Sequence, residues 1–208
     1  MHPPDIEKLN FKSVKPILIC DADEVIFDFM NTFVNFLEKY NLKFIWRSYA
    51  LDGNIVDKNN KAVDEKDVKD ILFNFFKKNT LNMKLVSGAK ESLNKISTYY
   101  NIIILSNIPS EFYKLRFEAL ESHNIHYPFF VNIGGKGNVC SMISERFKVL
   151  TWFIDDSPYQ IASVKKKSQS IKTILYVQNK KLSKLINHKR CWDFFSDTWK
   201  NNEKLLIY

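Results

Sequence analysis

Short apolar runs that are rich in branched side chains constrain the fold of this chain more than any other feature. Amphipathic stretches separate five such runs, at residues 16–20, 101–105, 129–133, 150–154 and 171–177. Runs without polar alternation are typical of strands buried on both faces, and the segments between the later runs are long enough for crossover helices. The pattern therefore predicts an α/β fold with a parallel sheet flanked by helices.

Turn and capping residues indicate where the helices of this fold begin. They precede amphipathic stretches that predict helices over residues 89–98, 111–122 and 159–167. The chain has 208 residues, 45% of them hydrophobic, which is enough for one full core and too little for two ordinary domains. We therefore expect one domain with a modest insertion.

One long stretch, residues 29–86, contains no run that resembles a buried strand. Phe29, Phe33 and Phe36 open it with helical spacing, and the same spacing resumes around Phe75 after a polar region. We predict a small helical insertion after the first strand. The chain then divides into a core of residues 1–28 and 87–208 and an inserted segment of residues 29–86.

The part of the chain that follows residue 178 is first basic and then aromatic. Its aromatic residues include Trp192, Phe194, Phe195 and Trp199. They favour a last helix that lays these side chains on the sheet over a recognition surface.

Composition excludes several classes of protein. The longest apolar runs, such as 102–105, are far shorter than the roughly 18 residues of a membrane span. Residues 1–11 lack the apolar core of a secretory signal. The three cysteines form no C-x-x-C pair, and His188 with Cys191 does not complete a zinc site. We expect a cytoplasmic protein with no membrane partner, no disulfide framework and no zinc.

The net charge of +8 raises the question of a polyanionic partner. Most of the positive charge is lysine, which is scattered or lies in short runs such as 165–167. It is not interleaved with aromatic residues as in a nucleic-acid-binding module. We interpret it as a solvated surface that weakly attracts a phosphorylated substrate, so nucleic acid is not the expected partner. The sequence leaves the oligomeric state open.

Acidic residues follow two of the predicted strands. The first strand runs into Asp21 and Asp23, and the fourth runs into Asp155 and Asp156. Because ligands of parallel sheets bind beyond the carboxyl ends of the strands, the four aspartates are expected to converge there. They would repel one another without a cation, and oxygen-only ligands favour magnesium. Helix capping and ordinary loop acids are the alternative roles for these residues.

Further polar residues are expected at the same edge of the sheet. The second predicted strand ends in Ser106 and Asn107, and three of the five glycines surround Lys136 after the third strand. This clustering indicates a sharp turn that brings the lysine inward, with a solvent-exposed turn as the alternative. Neither segment has the residue order of a serine hydrolase or of a Walker phosphate loop.

The order of these motifs resembles that of the haloacid dehalogenase-like (HAD) superfamily, and in particular its phosphatases with a C1-type cap. Asp-x-Asp, then Ser, then Lys, then Asp-Asp appear in family order within residues 16–158, and Phe-Ile-Asp-Asp-Ser-Pro is the most specific piece. The resemblance implies a Rossmann-like sheet and a small helical C1-type cap at residues 29–86. It also implies a magnesium-dependent phosphomonoester hydrolase that acts on a small phosphorylated metabolite.

Roles for individual residues follow from this resemblance. Asp21 would be the nucleophile that forms an aspartyl phosphate, and Asp23 would be the general acid and then the base. Ser106, Asn107 and Lys136 would bind the phosphoryl group. The magnesium ligands would be Asp21, Asp155, Asp156 and the backbone carbonyl of Asp23.

The sequence departs from the family pattern at Glu24-Val25, where phosphatases commonly have Gly-Thr. Asp23 is retained, which argues against a dehalogenase because a leaving halide needs no proton. A mutase that moves a phosphoryl group on a sugar is one alternative, and a non-catalytic phospho-binding switch is another. The insertion offers several candidate substrate contacts, with cap packing or solvated surface as their alternative roles: Asp28, Phe29, Trp46, Arg47, Tyr49 and Lys84. Among them Arg47, which is the sole arginine of the insertion, is the candidate for gripping a second anionic group of the substrate.

Overall fold

The computed structural model describes residues 5–186 and 190–208. His188, considered above as half of a zinc pair, lies outside the described residues. The strands are β1 (Ile17–Cys20), β2 (Lys43–Phe44), β3 (Ile55–Val56), β4 (Asn101–Ser106), β5 (Phe129–Val131), β6 (Thr151–Asp155), β7 (Lys172–Tyr176) and β8 (Phe194–Ser196). The helices are α1 (Phe29–Glu38), α2 (Glu65–Asn79), α3 (Ala89–Ile96), α4 (Tyr113–Ser122), α5 (Gly137–Phe147), α6 (Pro158–Lys167), α7 (Lys180–Ser183) and α8 (Trp199–Ile207).

Six of the strands form one parallel sheet in the order β5-β4-β1-β6-β7-β8. The first strand is central, since Ile17 lies opposite Asn101 of β4 on one side and Thr151 of β6 on the other. Helices flank the sheet, so the predicted α/β Rossmann-like fold is confirmed. The chain winds outward from β1 first in one direction and then in the other, which creates a crevice beyond the carboxyl ends of β1 and β6.

The five predicted strands form because their side chains are buried on both faces of the sheet. Every residue of β1 and of β6 is buried, as apolar runs without alternation require. The predicted helix starts after residues 88 and 157 are also observed, with Gly88 in the left-handed conformation before α3 and Pro158 in the first turn of α6.

Residues 29–86 contain the two helices α1 and α2 and a small hairpin of β2 and β3. The helices pack through aromatic rings of Phe33 and Phe75, whose centroids are 5.0 Å apart. The segment leaves and rejoins the core at one place, because Asp28 N–H donates to the Lys84 carbonyl at 2.9 Å. Each strand of the hairpin has only two residues, which is too short for a hydrophobic periodicity that would predict it from the sequence. The division of the chain into core and cap stays a prediction.

The C-terminal aromatic residues do not form one helix, which corrects the expectation from the sequence. Phe194 and Phe195 belong to the edge strand β8, which pairs in parallel with β7. The helix begins only at Trp199, and the Thr198 side chain caps it by accepting the Asn201 N–H. Trp199 is 1% exposed and anchors α8, because its indole Nε1–H donates to the Val25 carbonyl at 2.9 Å.

Two simpler expectations concern the chain as a whole. All three cysteines are free thiols, with Cys20 and Cys140 buried and Cys191 partly buried. Among residues 5–186 and 190–208, the structure has no helix that is both long enough and apolar enough to cross a bilayer.

Candidate active site

Asp21 and Asp155 lie side by side at the carboxyl edge of the sheet. Asp21 is the first residue after β1 and Asp155 is the last residue of β6, and the Asp21 N–H donates to the Ile154 carbonyl at 3.0 Å. The two aspartates are 5% and 1% exposed. The strand ends therefore place two buried carboxyl groups at the crevice of the sheet, where the chain reverses its winding.

Lys136 connects the two carboxyl groups. It precedes α5 and is 1% exposed. Its Nζ donates to Asp21 Oδ1 and, at 2.7 Å, to Asp155 Oδ2. Burial alone would lower the pKa of Lys136, but the charges of Asp155 and Asp21 outweigh burial and raise it. The ammonium group is therefore a fixed positive charge at neutral pH.

Asp156 adds a third acid to this cluster. One carboxylate oxygen from each of Asp21, Asp155 and Asp156 lies within 4.8 Å of the others. Burial, and then the charge of Asp155, raise the pKa of Asp156 well above its usual range. Burial also raises the pKa of Asp21 to about 7, although Lys136 opposes this shift. The ionised cluster is thus unfavourable without further positive charge.

These residues fit magnesium as its ligands. All three donors are carboxylate oxygens, the ligand type that magnesium prefers, and they lie within 4.8 Å of one another. Three carboxylates against the one ammonium of Lys136 leave two negative charges when all are ionised, which a divalent cation neutralises. Asp23, also predicted as a ligand through its backbone carbonyl, has its carboxyl group outside this cluster.

Instead, the carboxyl group of Asp23 pairs with Arg116 of α4, a residue that sequence reasoning missed. Arg116 Nη2 donates to Asp23 Oδ1 at 2.6 Å, and the guanidinium carbon lies 4.4 Å from the centroid of the Phe27 ring. The arginine is fully buried. The sequence does contain a signal for the burial of this arginine, because the spacing of Tyr113, Arg116 and Leu120 puts them on one helix face. An arginine on the buried face of a helix needs an acid partner.

Three side-chain amides hold the loop that carries Lys136. The Gly134 carbonyl accepts from Asn107 at 2.7 Å and from both Asn132 and Gln160 at 3.1 Å. Gln160 Oε1 also accepts the Lys136 N–H at 2.8 Å. Asn107, predicted to bind phosphate, has its side-chain amide committed to this loop. It therefore positions Lys136, and direct contact with phosphate stays a prediction.

The other predicted phosphate ligand of β4, Ser106, is fully buried at the end of the strand. Its Oγ has no hydrogen-bond partner among the residues that the structure describes, but Ser106 is not among the described residues that line the cavity beside the acids, so its contact with phosphate stays a prediction. Arg47 is exposed, and it is not among the described residues that line the cavity beside the acids. The structure thus does not bring Arg47 to the other predicted residues.

A cavity of about 430 Å³ opens onto the acidic cluster. One wall contains Asp21, Asp23, Lys136, Asp155 and Asp156. Residues 29–86 contribute a mainly apolar part of the lining, which consists of Phe29, Met30, Tyr49, Leu51, Leu72 and Phe76. The inserted segment therefore covers the strand ends, and a ligand that contacts the acids also contacts this apolar wall.

Glu24, the departure from the family pattern, also lines this cavity. Its backbone has φ 63°, a left-handed conformation that glycine adopts without strain. The side chain reaches the start of α1, where Oε2 accepts the Met30 N–H at 2.7 Å. Burial raises the pKa of Glu24 to about 7. A glycine at this position would relax the backbone and remove the carboxyl group from the cavity.

The glycine after Lys136 provides a test of how the lysine is positioned. A Cβ at Gly137 would overlap the backbone carbonyl of Ser163 in α6, which no rotamer change relieves. Gly137→Ala should therefore displace the start of α5 and Lys136 with it, which lowers the free energy of unfolding by about 1–3 kcal/mol. It should also lower any activity of the site at least tenfold.

Gly53→Ala is the matched control, measured by the same chemical denaturation and turnover assays. Gly53, unlike Gly137, has a positive φ, and nothing lies within 4 Å of an added Cβ. This variant should lose about 1 kcal/mol of stability through backbone strain and should keep its activity. Equal activities for the two variants would contradict the positioning role of Gly137.

Comparison with solved structures finds the same architecture at low sequence identity. A haloacid dehalogenase-like hydrolase from Streptococcus pneumoniae superposes with a TM-score of 0.64 at 10% identity, covering 92% of this chain and 98% of that one. A predicted phosphoglycolate phosphatase from Haemophilus somnus gives 0.62 at 14% identity, covering 94% and 99%. A candidate β-phosphoglucomutase from Thermotoga maritima gives 0.56 at 16% identity, covering 92% and 100%.

Sequence comparisons give no corresponding result. No protein-family model matches the chain, and no curated protein matches it. Structural matches at identities of 10–16% over more than nine-tenths of the chain establish the fold, but they establish neither an activity nor a substrate. The chain therefore has the fold of the haloacid dehalogenase-like structures that it matches.

Proposed function

We propose that this chain is a member of the HAD superfamily of C1-capped phosphatase type, and a magnesium-dependent phosphomonoester hydrolase that acts through an aspartyl phosphate. The observation that carries the proposal is the contact of Lys136 with both Asp21 and Asp155 at the ends of adjacent strands. The fold of HAD-like hydrolases supports it. A small phosphorylated metabolite is the proposed substrate, and the cytoplasm is the proposed location.

The first step transfers the phosphoryl group to Asp21. A carboxylate oxygen of Asp21 attacks phosphorus while the bond from phosphorus to the ester oxygen breaks. Asp23 donates a proton to the leaving oxygen, so an alcohol departs. Lys136 fixes Asp21 and offsets the negative charge of the phosphoryl oxygens. Ser106 Oγ–H, which lacks a partner among the described residues, would donate to one of these oxygens.

The second step releases phosphate. Asp23 takes a proton from a water molecule as the water attacks phosphorus, and the bond between Asp21 and phosphorus breaks. Arg116 holds Asp23 in place during both steps. Asp21, Asp155 and Asp156 would hold magnesium, which supplies positive charge against the phosphoryl oxygens when it is bound.

A non-catalytic phosphate switch is less well supported than hydrolysis. Response-regulator receivers have the strand order 2-1-3-4-5, in which the second strand lies at the edge. If only the six strands of the present sheet are numbered, in chain order, their order across the sheet is 3-2-1-4-5-6. The topology therefore differs from that of receivers, as does the order of motifs along the chain.

Hydrolysis of p-nitrophenyl phosphate with and without magnesium tests the proposal. We expect turnover with magnesium, a fall of about 100-fold or more in EDTA, and recovery when magnesium is restored, because the acidic cluster otherwise repels the phosphate dianion. Calcium, which prefers more ligands and longer bonds, is the control ion and should not restore full turnover. Equal turnover in EDTA and magnesium would overturn the metal-dependent mechanism, and no turnover under any condition would favour the switch.

The mutase alternative requires a separate product analysis. Glucose 1-phosphate is incubated with the enzyme and magnesium, and both glucose 6-phosphate and inorganic phosphate are measured. A hydrolase releases phosphate in step with substrate loss. Accumulation of glucose 6-phosphate without phosphate release would favour the mutase, the activity named for the Thermotoga maritima structure.

A further inference from the structure

The carboxyl group of Glu24 has one oxygen in use and one without a partner. The residue is 2% exposed, and its Oε2 accepts the Met30 N–H. Its Oε1 lies beyond hydrogen-bond distance of every group within the described ranges, although Glu24 lines the cavity and the Asn179 side chain is near enough to act on its carboxyl group. An unpaired buried carboxylate oxygen is unfavourable. Contact with α1 thus accounts for one oxygen and leaves the other available to a ligand.

The backbone of Glu24 adds a second observation. A φ of 63° is strained for glutamate and relaxed for glycine. Strain of this kind concentrates at sites where a side chain is needed for function. Glu24 thus combines a strained backbone with an unpaired carboxylate oxygen at the wall of the proposed active-site cavity.

Tyr49 supplies a matching group in the same cavity. It lies in the loop between β2 and β3, and its hydroxyl is buried without a partner among the described residues. Asp156 and Glu24 are near enough that their charges add to burial in raising the pKa of Tyr49. The phenol therefore stays protonated and can donate, while Glu24 Oε1 can accept. Both groups line one cavity, so a ligand hydroxyl group that reaches the two would accept from Tyr49 and donate to Glu24.

The charges of the cavity limit what else the ligand can carry. Of the described residues that line it, Lys136 alone is cationic, and its ammonium group is bound to Asp21 and Asp155. The remaining lining is acidic, apolar or polar without charge, and Arg47 is outside it. A second phosphate or carboxylate on the leaving group would face Glu24 with no cationic side chain of the described lining free to pair with it.

We propose that Glu24 and Tyr49 select the leaving group of the substrate by binding one of its hydroxyl groups. The preferred substrate is then a phosphomonoester of a hydroxyl-bearing alcohol that has no second anionic group. Apolar contact with Phe29 and Leu72 would hold the carbon skeleton of this alcohol. This inference rests on the proposed function, because it assumes that a phosphomonoester occupies the cavity.

Two matched substrates test the inference in the presence of magnesium. Glycerol 3-phosphate carries uncharged hydroxyl groups, whereas 3-phosphoglycerate has a carboxylate in place of the terminal alcohol. The wild-type kcat/KM should be at least about tenfold higher for glycerol 3-phosphate. Tyr49→Phe and Glu24→Gln should each lower kcat/KM for glycerol 3-phosphate about tenfold, mainly through KM. Their loss on p-nitrophenyl phosphate, which has no hydroxyl group, should be clearly smaller.

Control variants separate selection from general damage. Tyr99→Phe removes the hydroxyl of an exposed tyrosine and should change no kinetic constant. A preference for 3-phosphoglycerate that Arg47→Ala abolishes would overturn the inference in favour of a second anion site, as would equal losses on all substrates for Tyr49→Phe. If p-nitrophenyl phosphate is hydrolysed but the preference is absent, this inference alone fails. If no substrate is hydrolysed, the proposed function fails with it.

Discussion

Asp21→Asn is expected to lower kcat for phosphomonoester hydrolysis by roughly 10⁴- to 10⁶-fold, a loss typical of removing a covalent nucleophile. The amide oxygen is a poor nucleophile, and the substitution preserves the size of the side chain. Lys136 keeps its contact with Asp155, so the fold should be retained. Stopped assays of phosphate release with magnesium present measure the effect.

Asp70→Asn is the matched control, because Asp70 is an exposed aspartate of α2. Its kcat should equal that of the wild type. The circular dichroism spectrum of each variant establishes that it has folded. Turnover by Asp21→Asn within tenfold of the wild type would remove Asp21 as the nucleophile.

Lys136→Met is expected to cause the largest loss of stability. Methionine keeps the length of the side chain but leaves Asp21 and Asp155 buried without their cation. Removing one partner of a buried ion pair costs about 3–5 kcal/mol of unfolding free energy. In wild type the pKa of Asp21 is already raised to about 7 by burial, with Lys136 opposing the shift. Without the lysine, this pKa should rise further.

The pH dependence of this loss follows from the raised pKa. Between the ordinary pKa of an aspartate and the higher value in the folded variant, the folded state binds more protons than the unfolded state, so stability falls as pH rises. The penalty should therefore be larger at pH 8 than at pH 5 in urea titrations with EDTA. Magnesium should recover part of it at pH 8 by supplying positive charge to the acids.

Lys165→Met provides the comparison for this prediction. Lys165 also pairs with an aspartate, Asp193, at 3.0 Å, but the two side chains are 15% and 28% exposed. Its removal should cost about 1 kcal/mol, with little response to magnesium. If Lys136→Met in EDTA at pH 8 were no less stable than Lys165→Met, Lys136 would not be the cation that makes the acidic edge tolerable.

The sheet could be predicted from the sequence because its strands are buried on both faces. Runs such as 16–20 and 150–154 have no polar alternation, and several such runs separated by amphipathic stretches are typical of a parallel sheet. The meeting of Asp21 and Asp155 follows from the same property of the sheet. Residues at the ends of neighbouring parallel strands share one edge, wherever they stand in the sequence.

Other parts of the structure had no adequate local signal. The hairpin of β2 and β3 is too short to show a period, and β8 pairs at the sheet edge with only partial burial, so its aromatic residues do not show the pattern of a buried strand. The pairing of Asp23 with Arg116 joins residues far apart in sequence. Sequence patterns predict whether a residue is buried or exposed. They do not predict which distant residue it pairs with, because that depends on how the helices pack on the sheet.

The walls of the cavity were the least predictable feature. Tyr49 and Glu24 line the same cavity only because the inserted segment folds back over the strand ends. Both Arg47 and Tyr49 are candidates from sequence, and charge favours Arg47, although Tyr49, two residues away, is the side chain that lines the cavity. In an irregular loop no periodicity predicts which side chains face the cavity, so two residues that are two positions apart can have different surroundings.

Trapping of the covalent intermediate tests the central claim most directly. The enzyme is mixed with p-nitrophenyl phosphate and magnesium, quenched, reduced with borohydride and digested for mass spectrometry. An aspartyl phosphate is reduced to homoserine, so the peptide that contains residue 21 should carry homoserine in place of aspartate. The modification should require both magnesium and substrate. Steady hydrolysis with an unmodified Asp21, or homoserine at a different aspartate, would contradict the account.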